Sequence, residues 1–177
     1  MASESSLFKK NLRLCIKWVL YALVLILSYV LGQDPHLFSF GGLRPVLVLP
    51  VAVCVAMFEH EFSGGIFAAA AGILWGCSSD VTFGYYAIIL LVIGVAAGLI
   101  CSYGMKPGLF TALLLVAAAA VLVGLLDFLF FYMLWSYSEL GRFFFTRLLP
   151  TIGLTTVSMI PYFYLVRLIH NKLRPPK

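Results

Sequence analysis

The chain has 177 residues, 63% of them hydrophobic and only 11% charged, with a mean hydropathy of +1.05. A soluble domain holds roughly 45–50% apolar and about 25% charged residues, so this composition excludes a water-soluble fold and reads as a one-domain integral membrane protein. The net charge of +5 gathers beside apolar runs rather than in a basic stripe interleaved with aromatics, which argues against nucleic-acid binding.

A helix needs about 20 apolar residues to cross the ~30 Å hydrocarbon core, and six candidates follow in order. Residues 1–13 read as a cytoplasmic N-terminal segment. Helix one covers 14–32; it imitates a signal peptide, but its apolar run, broken only by Lys17, is longer than a usual signal core and no A-x-A site follows. Helix two, 45–58, and helix three, 64–78, are short for full spans. They are expected to form a hairpin whose turn, "EHEFSGG", dips toward the headgroups from the cytoplasmic side. Helix four covers 85–103, helix five 108–135 and helix six 147–169, leaving 170–177 as a basic cytoplasmic tail.

With six helices both termini share one side. That side then carries Lys9, Lys10, Arg13, Lys17, Lys106, Arg167, Lys172, Arg174 and Lys177, nine of the twelve basic residues, against Arg44, Arg142 and Arg147 opposite. The positive-inside rule makes the richer side cytoplasmic. Merging helices two and three would separate the two basic termini, and is rejected for that reason. Pro50, Pro150 and Pro161 are expected to kink helices. Pro161 frees a carbonyl one turn earlier, with Thr155, Thr156 and Ser158 close enough to compensate it.

The stretch from Glu59 to Asp80 sets acids at both ends of a Gly/Ala run. Gly64, Ala68, Gly72 and Gly76 recur every four residues and share a helix face; Gly94 and Gly98 repeat the spacing on helix four. Small residues at that spacing let two backbones approach closely. The acids could be ligands or proton relays. A zinc protease helix needs a second His one turn on, and "HEFSG" has only His60. Glu59, Glu61 and Asp80 map to helix ends, where water reaches them, and Asp127 lies near the far end of helix five. A structural role is therefore preferred for these acids over metal binding or transport. Cys15, Cys54, Cys77 and Cys101 lack zinc or disulfide spacing and read as small interface hydrophobes. No nucleophile constellation or phosphate loop appears, and neither an enzymatic activity nor a cofactor is expected. Between Phe128 and Phe145 the chain is crowded with aromatics, among them Trp135, Tyr137, Phe143 and Phe144. These form either an interfacial belt or a docking face for a partner.

The order of landmarks resembles the rod shape-determining protein MreD family. It comprises Gln33 after the first helix, "FGGLRPVLVLPV", "GGIFAAAAGILWGCSSD" followed by "FGYYA", "IGVAAG" and "LLPTIGLTTVSMIPYFYLVRLIHNKL". The resemblance covers about residues 14–173, and the family's recurrent landmarks correspond to Gly72, Gly76, Asp80, Gly84, Gly94 and Gly98. It implies a non-enzymatic scaffold in the bacterial plasma membrane, within the complex that couples MreB filaments to peptidoglycan synthesis. MreC, MreB, RodA and a penicillin-binding transpeptidase would be its partners, beside membrane lipids. The "EHE" turn departs from the family pattern. The implied fold is similar to the substrate-binding subunits of energy-coupling-factor vitamin transporters, which supply the alternative function. Such subunits show an Ala-x-x-x-Ala face on helix one, whereas this helix one has a single Ala22; they also cluster polar groups at their outer mouth, where this chain is apolar and aromatic.

Overall fold

The computed structural model describes residues 2–33, 45–78, 84–105, 107–133 and 149–173, with backbone alone for 2–10 and 131–133. The described residues are helical throughout their regular structure, without strands. The helices are α1 (Ala2–Gln33), α2 (Val48–Phe58), α3 (Glu61–Gly76), α4 (Tyr85–Tyr103), α5 (Leu109–Asp127) and α6 (Leu149–Leu173). Four helices are long and apolar enough to cross a membrane, over Asn11–Gln33, Tyr85–Tyr103, Leu109–Phe130 and Leu149–Leu173.

The bounds of α4 coincide with those expected, and the others move. α1 begins at Ala2, not at residue 14. Apolarity ends near Leu14, but Leu, Lys, Arg and Ser continue a helix at little cost and no Gly or Pro interrupts it. Residues 2–13 thus continue the first helix. α6 likewise continues to Leu173, into the expected basic tail. α5 is not one α-helix to residue 135: its α turns end at Asp127 and a π-helical stretch follows over Phe128–Met133.

α2 and α3 hold 11 and 16 residues, about 17 and 24 Å at 1.5 Å per residue, so neither reaches across the hydrocarbon core. α2 instead fills the middle of the bundle. Every residue from Val48 to Met57 is buried, and α2 touches each of the other five helices. Its apolarity on all sides is what such a position requires. Cys54 makes a sulfur contact of 3.5 Å with Met159 of α6, and the Val46 amide donates to Thr155 Oγ1 at 3.1 Å.

The three prolines divide into two groups. Pro50 and Pro150 fall in the first turns of α2 and α6, where a missing N–H removes no intrahelical bond. They start these helices rather than kink them. Pro161 is interior to α6. The hydroxyls of Thr155, Thr156 and Ser158 donate to the carbonyls of Thr151, Ile152 and Thr155, and so do not serve the carbonyl that Pro161 frees. The short loop before α4 ends on Gly84, which adopts φ 94°, a left-handed conformation that a side chain would strain.

Candidate functional site

Lys17, Tyr21, Val24, Leu25 and Ser28 recur at helical spacing and form the buried face of α1. Lys17 is 4% exposed, a costly position for an unpaired ammonium. Its partner comes from the end of α2. Glu59 caps that helix in an extended conformation (φ −98°, ψ 170°), which ends the helix at the carboxylate. Lys17 Nζ lies 2.5 Å from Glu59 Oε1, the Tyr21 hydroxyl donates to the same oxygen at 3.1 Å, and His170 Nδ1 of α6 lies 3.2 Å from it. One oxygen thereby joins the first helix, the central helix and the last.

The surroundings are aromatic. Trp18 and Tyr21 pack against Phe67 of α3, Phe58 lies against both Phe163 and His170, and Lys17 Nζ stands 5.8 Å from the Tyr21 ring centroid. Burial by itself would push the Glu59 carboxyl up. Hydrogen bonds from His170 and Lys17, the Lys17 charge and the Tyr21 hydroxyl outweigh it and hold the carboxyl below its ordinary value of 4.5. The arrangement holds a carboxylate ionised and joins helices through it.

The acids therefore do not all stand in water at helix ends. Glu59 has a side chain only 13% exposed and is the acceptor of this hub. Glu61 is partly exposed and accepts from Ser102 of α4 at 3.2 Å. Asp127 ends the α turns of α5, where its Oδ2 accepts from the Tyr86 hydroxyl at 3.2 Å; Tyr86 in turn stacks on Trp75 with centroids 4.2 Å apart. Asp80 lies outside the described residues, as do Trp135, Tyr137, Phe143 and Phe144. Among the described residues no three His, Cys, Asp or Glu side chains converge as a metal set.

The small residues place α3 between α2 and α4. A Cβ on Gly64 would stand 2.6 Å from Ala56 Cα of α2. On the other side, a Cβ on Gly72 would stand 2.6 Å from Ala87 Cα and press on the Tyr86 carbonyl. One on Gly94 would meet Ala68 Cβ at 2.5 Å, and one on Gly98 would meet Glu61 Cα at 2.7 Å. Gly76 does not share this role: a Cβ there meets nothing within 4 Å, because α3 is ending as its neighbour begins. Gly65, outside the four-residue series, is just as crowded, against Val95 at 2.6 Å.

The sequence reading missed Lys17, Tyr21 and His170 as a group. Lys17 was assigned to the positive-inside count, although it breaks an otherwise apolar run one helical turn before Tyr21, and that interruption was the available signal. Comparison of the chain with protein families, with curated proteins and with solved structures gives no match.

Proposed function

We propose that the chain is a non-enzymatic membrane scaffold of the bacterial rod complex, similar to the MreD family, with six membrane-embedded helices and both termini cytoplasmic. In this reading it sits in the plasma membrane and links MreC, MreB, RodA and a penicillin-binding transpeptidase by packing. The order of landmarks along the sequence suggests the family. The observation that carries the reading is α2: ten consecutive buried residues, Val48–Met57, occupy the middle of the bundle. A protein that captures a small solute needs a chamber lined by a few convergent polar groups. A centre filled by an apolar helix suits a rigid body that presents its outer faces to partners instead.

The test is affinity purification of the tagged protein in mild detergent, with mass spectrometry of stoichiometric partners. Recovery of a bitopic coiled-coil protein with cell-wall synthases is the expected result. Recovery of paired ABC ATPases with a transmembrane coupling subunit would overturn the reading and favour vitamin capture.

A further inference from the structure

The Glu59 hub has a consequence for the surface around it. Lys17 of α1 and His170 of α6 meet on one carboxylate oxygen, so the middle of the first helix and the closing turns of the last are held together. Lys17 is neutralised by that contact, and other cations are left over. Arg13, one turn before Lys17, is exposed, and so are Arg167 and Lys172 on α6. None of the three has an acidic partner among the described residues. Arg167 rests over the Phe163 ring at 6.0 Å, which leaves its guanidinium donors available. Glu61, a second acid near this end, is engaged with Ser102 on the α3–α4 side.

Apolar residues adjoin these cations. Ile16 of α1 and Leu165 and Leu168 of α6 are all more than 40% exposed, each within three residues of Arg13 or Arg167 in sequence. Exposed cations beside exposed apolar side chains are the combination that a lipid headgroup and its acyl chains would meet.

We propose that the end of the bundle joined by the Glu59 hub binds the headgroup of an anionic phospholipid, with Arg13, Arg167 and Lys172 as its phosphate partners. Guanidinium groups pair with phosphate through two parallel hydrogen bonds. A zwitterionic lipid offers the same phosphate with its own ammonium attached, so net charge is what the site discriminates. Each basic residue near the surface contributes roughly fivefold to such an affinity. A free phosphate would match the cations but would leave the apolar flank unused.

The proposal stands apart from the scaffold reading and is tested without partners. The full-length protein is delipidated in mild detergent and presented with equal amounts of phosphatidylglycerol and phosphatidylethanolamine. Native mass spectrometry then counts the retained lipids. Phosphatidylglycerol is expected to bind first, with a preference of roughly tenfold or more. The Arg13→Gln/Arg167→Gln/Lys172→Gln variant leaves the hub intact and should lose the preference. Lys172→Gln alone, which removes one exposed side chain without touching packing, should lower it by roughly fivefold. Equal retention of both lipids by the unmodified protein, or an unchanged preference in Lys172→Gln, would overturn the proposal. So would displacement of the lipid by inorganic phosphate at millimolar concentration, since the site would then be one for anions rather than for lipid.

Discussion

Glu59 and Lys17 illustrate how a single buried charge constrains its neighbours. Taking both ions out of water is costly, and their attraction repays this only while both are present. Removing one partner of such a pair costs about 3–5 kcal/mol, whereas replacing both by uncharged groups of similar size is often neutral. Lys17→Met and Glu59→Gln should therefore each destabilise the protein in detergent by about 3 kcal/mol or more, read as a strongly lowered thermal midpoint. The double variant should recover most of the loss. A double variant that loses the sum of the two would show that the charges act independently, and the pair reading would fail. The pH dependence has a definite sign. The native carboxyl lies below its ordinary value of 4.5, so its contribution is complete above that value and disappears as pH falls through the lower native value. Glu59→Gln should abolish this part of the acid sensitivity and leave any other part in place. None of this was legible locally, because Tyr21 and His170 are 38 and 111 residues from Glu59 in sequence.

At the scale of elements, apolarity and small-residue spacing were the readable signals, and boundaries the unreadable ones. α4 is bounded by Gly84 and Gly104, and both ends are visible in sequence. Apolarity alone starts α2 at 45 and α6 at 147, and that early start moves Pro50 and Pro150 into apparent helix interiors. The π-helical turns after Asp127 leave no trace in a continuous apolar run. The Gly/Ala series was visible, yet its members differ, since a four-residue period says which face a residue occupies and not where the partner helix ends. Gly72→Leu should disrupt the α3–α4 contact, since even a Cβ there stands 2.6 Å from Ala87 Cα; overpacking of this kind costs about 1–3 kcal/mol or more. Gly76→Ala has open space and should be neutral or stabilise by about 0.5–1 kcal/mol. Equal damage by both, read as loss of monodisperse protein on size exclusion, would show that the two glycines are equally crowded and would overturn the distinction drawn between them. The aromatic stretch beyond α5 is a separate element to test. Trp135→Ala/Phe143→Ala/Phe144→Ala should reduce capture of the proposed partners while membrane insertion, assayed by alkaline extraction, stays intact. Unchanged capture would return those side chains to an interfacial belt.

For the whole molecule, the proposed topology puts both termini on one side, and two arguments bear on it. Four helices are long enough to cross, and the α2–α3 hairpin adds either two crossings or none. The total is even in both cases, which is what the proposed topology requires to bring both ends of the chain out on one side. The hub points the same way, since Lys17 near the start of the first span and His170 near the end of the last meet on one oxygen. In the proposed topology the side follows from charge: the end that would hold the termini counts nine of the twelve Lys and Arg residues, and the positive-inside rule would make it cytoplasmic. Lys17 contributes less to that count than its position suggests, because Glu59 neutralises it, but the remaining eight still outnumber the three opposite. Reporter fusions in a bacterial host decide the matter. A cytoplasm-active fluorescent fusion should shine at either terminus and between Gly104 and Gly108, while an export-dependent phosphatase should be inactive at those three sites and active when inserted just before Gly84. Opposite signals at the two termini would require an odd number of crossings, either because α2 and α3 together cross once or because one of the four long helices does not span, and the proposed topology would fail.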